Sequence, residues 1–165
     1  KLHQQAIEDG FYIGMKVVRG GYMEKENVRA IEKGYPTPIC VSKEATDLNY
    51  DAAIHYMVEN IDRMAIFAGT HNELSSYKLM EYMQDLNIEK KDARIWFGQL
   101  YGMSDNISYN LSANGYNNAK YLPFGPVRDV MPYLIRRAEE NTSVAGQTSR
   151  ELKLITAERN RRKGK

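Results

Sequence analysis

Cysteine is almost absent. Cys40 is the only one in 165 residues, which excludes an internal disulfide and a cysteine-based metal cluster. It reads as a small buried hydrophobe rather than a nucleophile. The three histidines, His3, His55 and His71, show no metal-ligand spacing, so no metal site is expected. No apolar run approaches the ~18 residues of a membrane span, and the opening residues carry no signal peptide. An excess of one charge is missing too. The formal net charge is +2, which gives no support for nucleic-acid binding. The first residue is Lys and not Met, so the sequence reads as a fragment or processed piece. What remains is ordinary for a globular domain: 42% hydrophobic and 27% charged residues, in a chain long enough for one real core.

The chain alternates strands and helices. Residues 1–9 resemble the last turns of a helix, ended by Gly10. Phe11–Val18, FYIGMKVV, is a β-rich apolar run that reads as a buried parallel strand. Arg19 and the pair Gly20-Gly21 follow, a tight turn where backbone can be approached closely. A helix from Glu24 to Lys33 stops at Gly34. The loop GYPTPICVSKEA is long and is expected to cap a face. Thr46 or Asp47 caps a helix to Arg63 with Leu48, Ala52 or Ala53, Tyr56 and Met57 turned inward. MAIFAG, 64–69, is the second strand. Asn72 then caps a helix that buries Leu79, Met80, Met83 and Leu86. ARIWFG, 93–98, is the third strand, ending in Gln99-Leu100. A short helix spans Asp105–Ala113, and Asn118–Leu122 is the fourth strand.

The segment Lys120–Asn141 closes this series. Pro126 is placed at a first helical position. Val127, Val130, Met131, Leu134, Ile135 and Ala138 form one apolar stripe of helical period. Tyr133, Arg136, Arg137 and Glu140 form a second face of the same helix. Two neighbouring guanidiniums suit a small carboxylate or a phosphate. The alternative is a solvated charged face with an Arg136–Glu140 pair, worth about 0.3–0.5 kcal/mol. The order of elements implies βαβ units and a parallel sheet. Four such units make an open doubly wound sheet or half of a (β/α)8 barrel. Lys16–Tyr22, Thr70–Asn72, Gln99 and Tyr121 all fall at C-terminal strand ends, the active face of such barrels.

The motifs KVVRGGY (16–22), THNE (70–73), FGQLYGM (97–103) and YLPFGPVxxVxPYLxRRAxEN (121–141) resemble the proline dehydrogenase family, in the family's order. The resemblance implies an α/β fold made of the last four units of a (β/α)8, TIM-like barrel, residues 1–141. Residues 142–165 form a polar, basic, partly helical tail. It also implies FAD, and oxidation of L-proline to 1-pyrroline-5-carboxylate by hydride transfer to that cofactor, with electrons passing to a quinone. Arg136 and Arg137 match the pair that holds the substrate carboxylate. Tyr121 matches the ring packed over proline, a position that is smaller and polar in relatives preferring hydroxyproline. Tyr133 and Tyr22 match further residues of the pocket. Lys16 matches a cation beside the flavin, usually arginine. Val18 and Gly20 offer backbone to it, and Thr70, His71 and Asn72 match residues contacting FAD. Gln99 matches a residue touching the flavin or its support. Glu140 matches an acidic residue near both. Gly21 departs from a more usual alanine.

The family's first four strands also carry site residues, so the piece alone is expected to show little or no activity. Its partners would be the N-terminal half of the barrel or a second copy of itself. A cytoplasmic location is expected, mitochondrial in a eukaryote, with at most peripheral contact with the inner membrane. Two other readings remain. One is a non-catalytic flavin- or nucleotide-binding half-barrel. The other is a nucleic-acid binder using the tail cations Arg159, Arg161, Arg162, Lys163 and Lys165, which the near-neutral overall charge disfavours.

Overall fold

The computed structural model describes residues 1–142 and 145–164, with side chains given for 1–135 and 152–164. The elements run α1 (Leu2–Asp9), β1 (Ile13–Val17), α2 (Met23–Lys33), α3 (Lys43–Glu59), β2 (Met64–Gly69), α4 (Glu73–Asp85), β3 (Ile95–Leu100), α5 (Asp105–Ala113), β4 (Asn118–Tyr121), α6 (Val127–Thr142) and α7 (Ala145–Lys163). All four strands are parallel and lie in sheet order β1-β2-β3-β4. Strictly sequential order is what successive units of a barrel wall produce; a doubly wound sheet would reverse its order at a switch point.

Local chemistry sets most of the boundaries. Gly10 and Gly34 end α1 and α2 with φ of 75° and 70°, a conformation that costs glycine nothing. Asn72 caps α4 by accepting from the Ser75 N–H at 3.1 Å. Ser42, not Thr46 or Asp47, caps α3, its Oγ accepting from the Ala45 N–H. The face turned inward also differs from the expected one. Tyr50, Ile54, Met57 and Val58 are buried, while Leu48 and Tyr56 are exposed. The Tyr56 hydroxyl instead meets His3 Nδ1 of α1 at 2.7 Å. Leu86, expected inside, is the exposed C-cap of α4.

The core lies between one face of the sheet and helices α3, α4 and α5. Ile66 and Ala68 of β2 and Ile95 and Phe97 of β3 pack there with Ile54, Leu79 and Met83. Each large apolar side chain buried this way contributes about 1.5–3 kcal/mol. The opposite face, carrying Lys16, Phe67, Trp96 and Tyr121, has no such layer over it among the described residues. β1, expected to be buried, is an outer strand in which only Ile13 is buried; Met15, in register with core-facing Ile66 on the helix side, is exposed at that edge. Helix α6 likewise leaves its stripe open at Val127, Met131, Leu134 and Ile135. Pro126 stands just before it, its carbonyl accepting from Asp129 and Val130. Pro132 lies inside α6 and has no N–H to offer the preceding turn.

Among the described residues, both outer strands therefore present unpaired N–H and C=O groups beside a partly apolar open face. Sedimentation equilibrium of the chain alone is expected to show dimers or larger species. A single monomeric species at micromolar concentration would contradict this.

Candidate functional site

The sequence-predicted residues separate into two groups, divided by the sheet. On the open face, Lys16 points its Nζ at the Tyr121 ring, 4.6 Å from the centroid, and at Phe67, 5.6 Å. Tyr121 is 44% exposed and meets Tyr133 of α6 edge-on, centroids 6.1 Å apart at 72°. One cation and three aromatic rings from β1, β2, β4 and α6 thus share one patch. Cation–π contacts at such half-open sites contribute about 0.5–1 kcal/mol each.

Two glycines make that patch possible. A Cβ on Gly98 would sit 2.1 Å from the Phe67 ring, and one on Gly69 would sit 2.8 Å from Val18 Cγ1. Neither distance is tolerable, so Phe67 lies over β3 only because residue 98 has no side chain.

The second group lies at the C-terminal rim, on the helix side. Thr70 is buried. Its Oγ1 accepts from Arg19 Nη2 at 2.6 Å and from the Asn72 N–H at 3.0 Å. Gln99, 2% exposed, donates through Nε2 to the Thr70 carbonyl at 3.3 Å and accepts from Ser108 Oγ at 2.9 Å. Gln99 thus braces strand ends from beneath. His71 Nδ1 lies 2.9 Å from Ser104 Oγ. Burial first, and the Lys120 charge second, push the His71 imidazole below its ordinary value of 6.5. Lys120 itself donates to the Met103 carbonyl at 2.6 Å and to Asp105 at 2.7 Å.

Gly20 adopts φ 71° in the turn after β1, and Val18 is exposed beside Gly69. Tyr22, 75% exposed, stands at the N-cap of α2 with its ring 5.9 Å from Lys25 Nζ. It is not among the rings of the open-face patch. Arg136, Arg137 and Glu140 belong to α6, but their side chains lie outside the described residues. Among those residues no three His, Cys, Asp or Glu side chains stand close enough to hold a metal ion. A separate shallow pocket sits on the helix side of β4, lined by Tyr101, Asp105, Ser108, Tyr109, Asn118 and Lys120 among others.

Two rim residues escaped the sequence reading. Ser104 is buried with φ 51°, a conformation that nothing local announces in a serine. Arg19 was visible in KVVRGGY but drew no role. Its partners lie 28 and 51 positions away, so no local pattern pointed to them.

Several known proteins resemble this chain. The family model described as proline dehydrogenase matches residues 1–150. Mitochondrial proline dehydrogenase 1 of Homo sapiens is 41% identical over 160 residues, covering 95% of this chain and 27% of the relative. The carbapenem antibiotics biosynthesis protein CarD of Pectobacterium carotovorum subsp. carotovorum is 39% identical, covering 98% and 41%. Hydroxyproline dehydrogenase of Xenopus laevis is 40% identical, covering 93% and 34%. Among solved structures, proline utilization A from Bdellovibrio bacteriovorus, inactivated by N-propargylglycine, superposes with a TM-score of 0.77 at 33% identity. That match covers 86% of this chain and 14% of the other. The chain spans about a quarter to two-fifths of the length of these curated relatives.

Two outcomes follow from the geometry. Gly98→Ala is expected to destabilise the chain by about 1–3 kcal/mol, and Phe67→Ala in the same molecule to recover part of that loss, both measured by urea unfolding. Full additivity of the two changes would contradict the contact. An NMR titration is expected to place His71 below 6.5, rising toward it in Lys120→Met. Because the folded value is depressed, the unfolded chain binds the extra proton first. Stability is therefore full above 6.5 and falls as pH drops from there to the folded value.

Proposed function

The chain belongs to the proline dehydrogenase family, and we propose that it supplies the C-terminal half of the site of a flavoenzyme that oxidises L-proline to 1-pyrroline-5-carboxylate. The observation that carries the reading is the open-face patch, where Lys16, Tyr121 and Tyr133 converge from distant parts of the chain. A cation flanked by aromatic rings on an uncovered sheet face suits a flat, heteroatom-rich cofactor, and the residues present fit FAD in that respect. When bound, FAD accepts the hydride released from the ring carbon next to the proline nitrogen.

The chain's own residues bind and orient. Lys16 offers a positive charge to the flavin; its ammonium is a point charge without arginine's fork. Val18 and Gly20 offer backbone beside it. Thr70, His71 and Asn72 hold the cofactor's phosphate side at the start of α4, where N–H groups and the helix dipole favour anions. Gln99 keeps that segment in place from below. Arg136 and Arg137 hold the proline carboxylate by charge-assisted hydrogen bonds. Tyr121 and Tyr133 close over the ring and exclude water. A large aromatic ring at Tyr121, in place of a smaller polar residue, favours proline over hydroxyproline. Tyr22 lines the pocket and Glu140 balances the arginine face. Electrons would pass onward to a quinone, in a cytoplasmic or mitochondrial setting with at most peripheral membrane contact.

A second reading, a half-barrel that binds flavin without turnover, draws on the four-stranded sheet and the partial coverage of the relatives. In both readings the partner is the other half of a barrel, or a second copy.

The test is an absorbance spectrum of the purified chain with FAD, then anaerobic L-proline. Flavin binding is expected, with slow or partial bleaching. Lys16→Met is expected to weaken flavin binding about tenfold or more, the loss of one charged contact. A flavin that stays fully oxidised favours the second reading, and no flavin binding overturns both.

A further inference from the structure

Resting on that reading, we propose that Arg19 is a positioning residue, which locks the two cofactor-facing segments 18–22 and 70–72 at fixed spacing by joining Asp47 of α3 to Thr70 at the end of β2. The two hands of its guanidinium do different work. Nη1 pairs with Asp47 Oδ1, and Nη2 donates to Thr70 Oγ1 at 2.6 Å. The flat of the group lies over the Tyr50 ring, 4.3 Å from its centroid. Only 15% of the Arg19 side chain is exposed, so both contacts operate where water competes weakly.

The consequences run outward from Thr70. Its hydroxyl, held by Arg19, also receives the Asn72 N–H, and Asn72 Oδ1 caps α4. Its carbonyl takes Gln99, which takes Ser108 of α5. At the other end, the backbone after Arg19 turns at Gly20 into the Tyr22 cap of α2. One side chain therefore connects the ends of β1, β2 and β3 with the starts of α3, α4 and α5. A lysine could keep the charge but not reach both acceptors, because it lacks the planar fork. Asp47 is steadied in turn by Lys43 Nζ at 3.3 Å from Oδ2. Tyr50 is buried, and its ring lies under the guanidinium. Burial holds its hydroxyl up at about 12, and it stays neutral throughout the working pH range.

The experiment measures FAD affinity by fluorescence, amide hydrogen exchange at Asn72 and Ser75, and thermal unfolding, on the whole chain. Arg19→Met is expected to lose at least tenfold in FAD affinity and to speed exchange at both amides. Asp47→Asn, which lies outside the cofactor segments and meets them only through Arg19, is expected to do the same in smaller measure. Arg19→Lys keeps the fold and the charge, and is expected to fall between wild type and Arg19→Met. Thr70→Ser, which retains the hydroxyl that Arg19 and the Asn72 N–H share, is expected to leave amide exchange at Asn72 and Ser75 at the wild-type rate. In a Thr70→Val background, Arg19→Met is expected to add nothing, because its route is already cut. Wild-type FAD affinity in Arg19→Met or Arg19→Lys, or additive losses with Thr70→Val, would overturn the inference and leave the proposed function standing. Failure of the wild-type chain to bind FAD would remove both.

Discussion

A parallel strand must bond on both edges and be covered on both faces, and four strands in sequential order can meet only part of that requirement. Everything else in this molecule follows from how the requirement is shared out. The helix face of the sheet is satisfied by α3, α4 and α5, with Ile66, Ile95 and Phe97 at the seam. The other face is left to a lysine and aromatic rings. Among the described residues, two strand edges stay open.

The division also separates chemistry from support. The open face holds the groups that could touch a ligand, with Lys16, Tyr121 and Tyr133 in mutual reach. The rim on the covered side holds short polar residues that touch each other. Thr70, Gln99, Ser104 and Ser108 are all buried there, and hydrogen bonds satisfy them. Buried polar groups of this kind cost stability when a partner is removed, so they fix geometry more than they add energy. The hydroxyl of Thr70 and the amide of Gln99, with Arg19, thus tie the ends of β1, β2 and β3 together.

Much of the architecture could be read from the chain because its signals are local. MAIFAG is β2 to the residue, and α5 spans Asp105–Ala113 as its flanking Asn-Gly suggests. Gly10 and Gly34 stop their helices. The reading failed where a distant event set the outcome. Ser42 caps α3, and the sheet packs on the face that carries Tyr50, Ile54 and Met57, which leaves Leu48 and Tyr56 exposed. The apolar period of β1 and α6 predicts burial, but burial needs a second surface to pack on, and the sequence of one element does not say whether it is there. Arg19 finds its partners 28 and 51 positions away, beyond any local pattern. Of the candidate site, the strand-end positions were legible; which of them act as contacts and which as braces was not.

The strand order has a bearing on how the chain comes together in time. Each ladder joins a strand only to the one made just before it. No strand has to wait for a distant segment, so loop-closure entropy stays low and assembly can track synthesis from the amino end. The newest strand always offers a fresh edge to the next, until β4. The outer edge of β1 is different: among the described residues no strand pairs with it, so it is the seam at which another half of a barrel, or a second copy, would have to join.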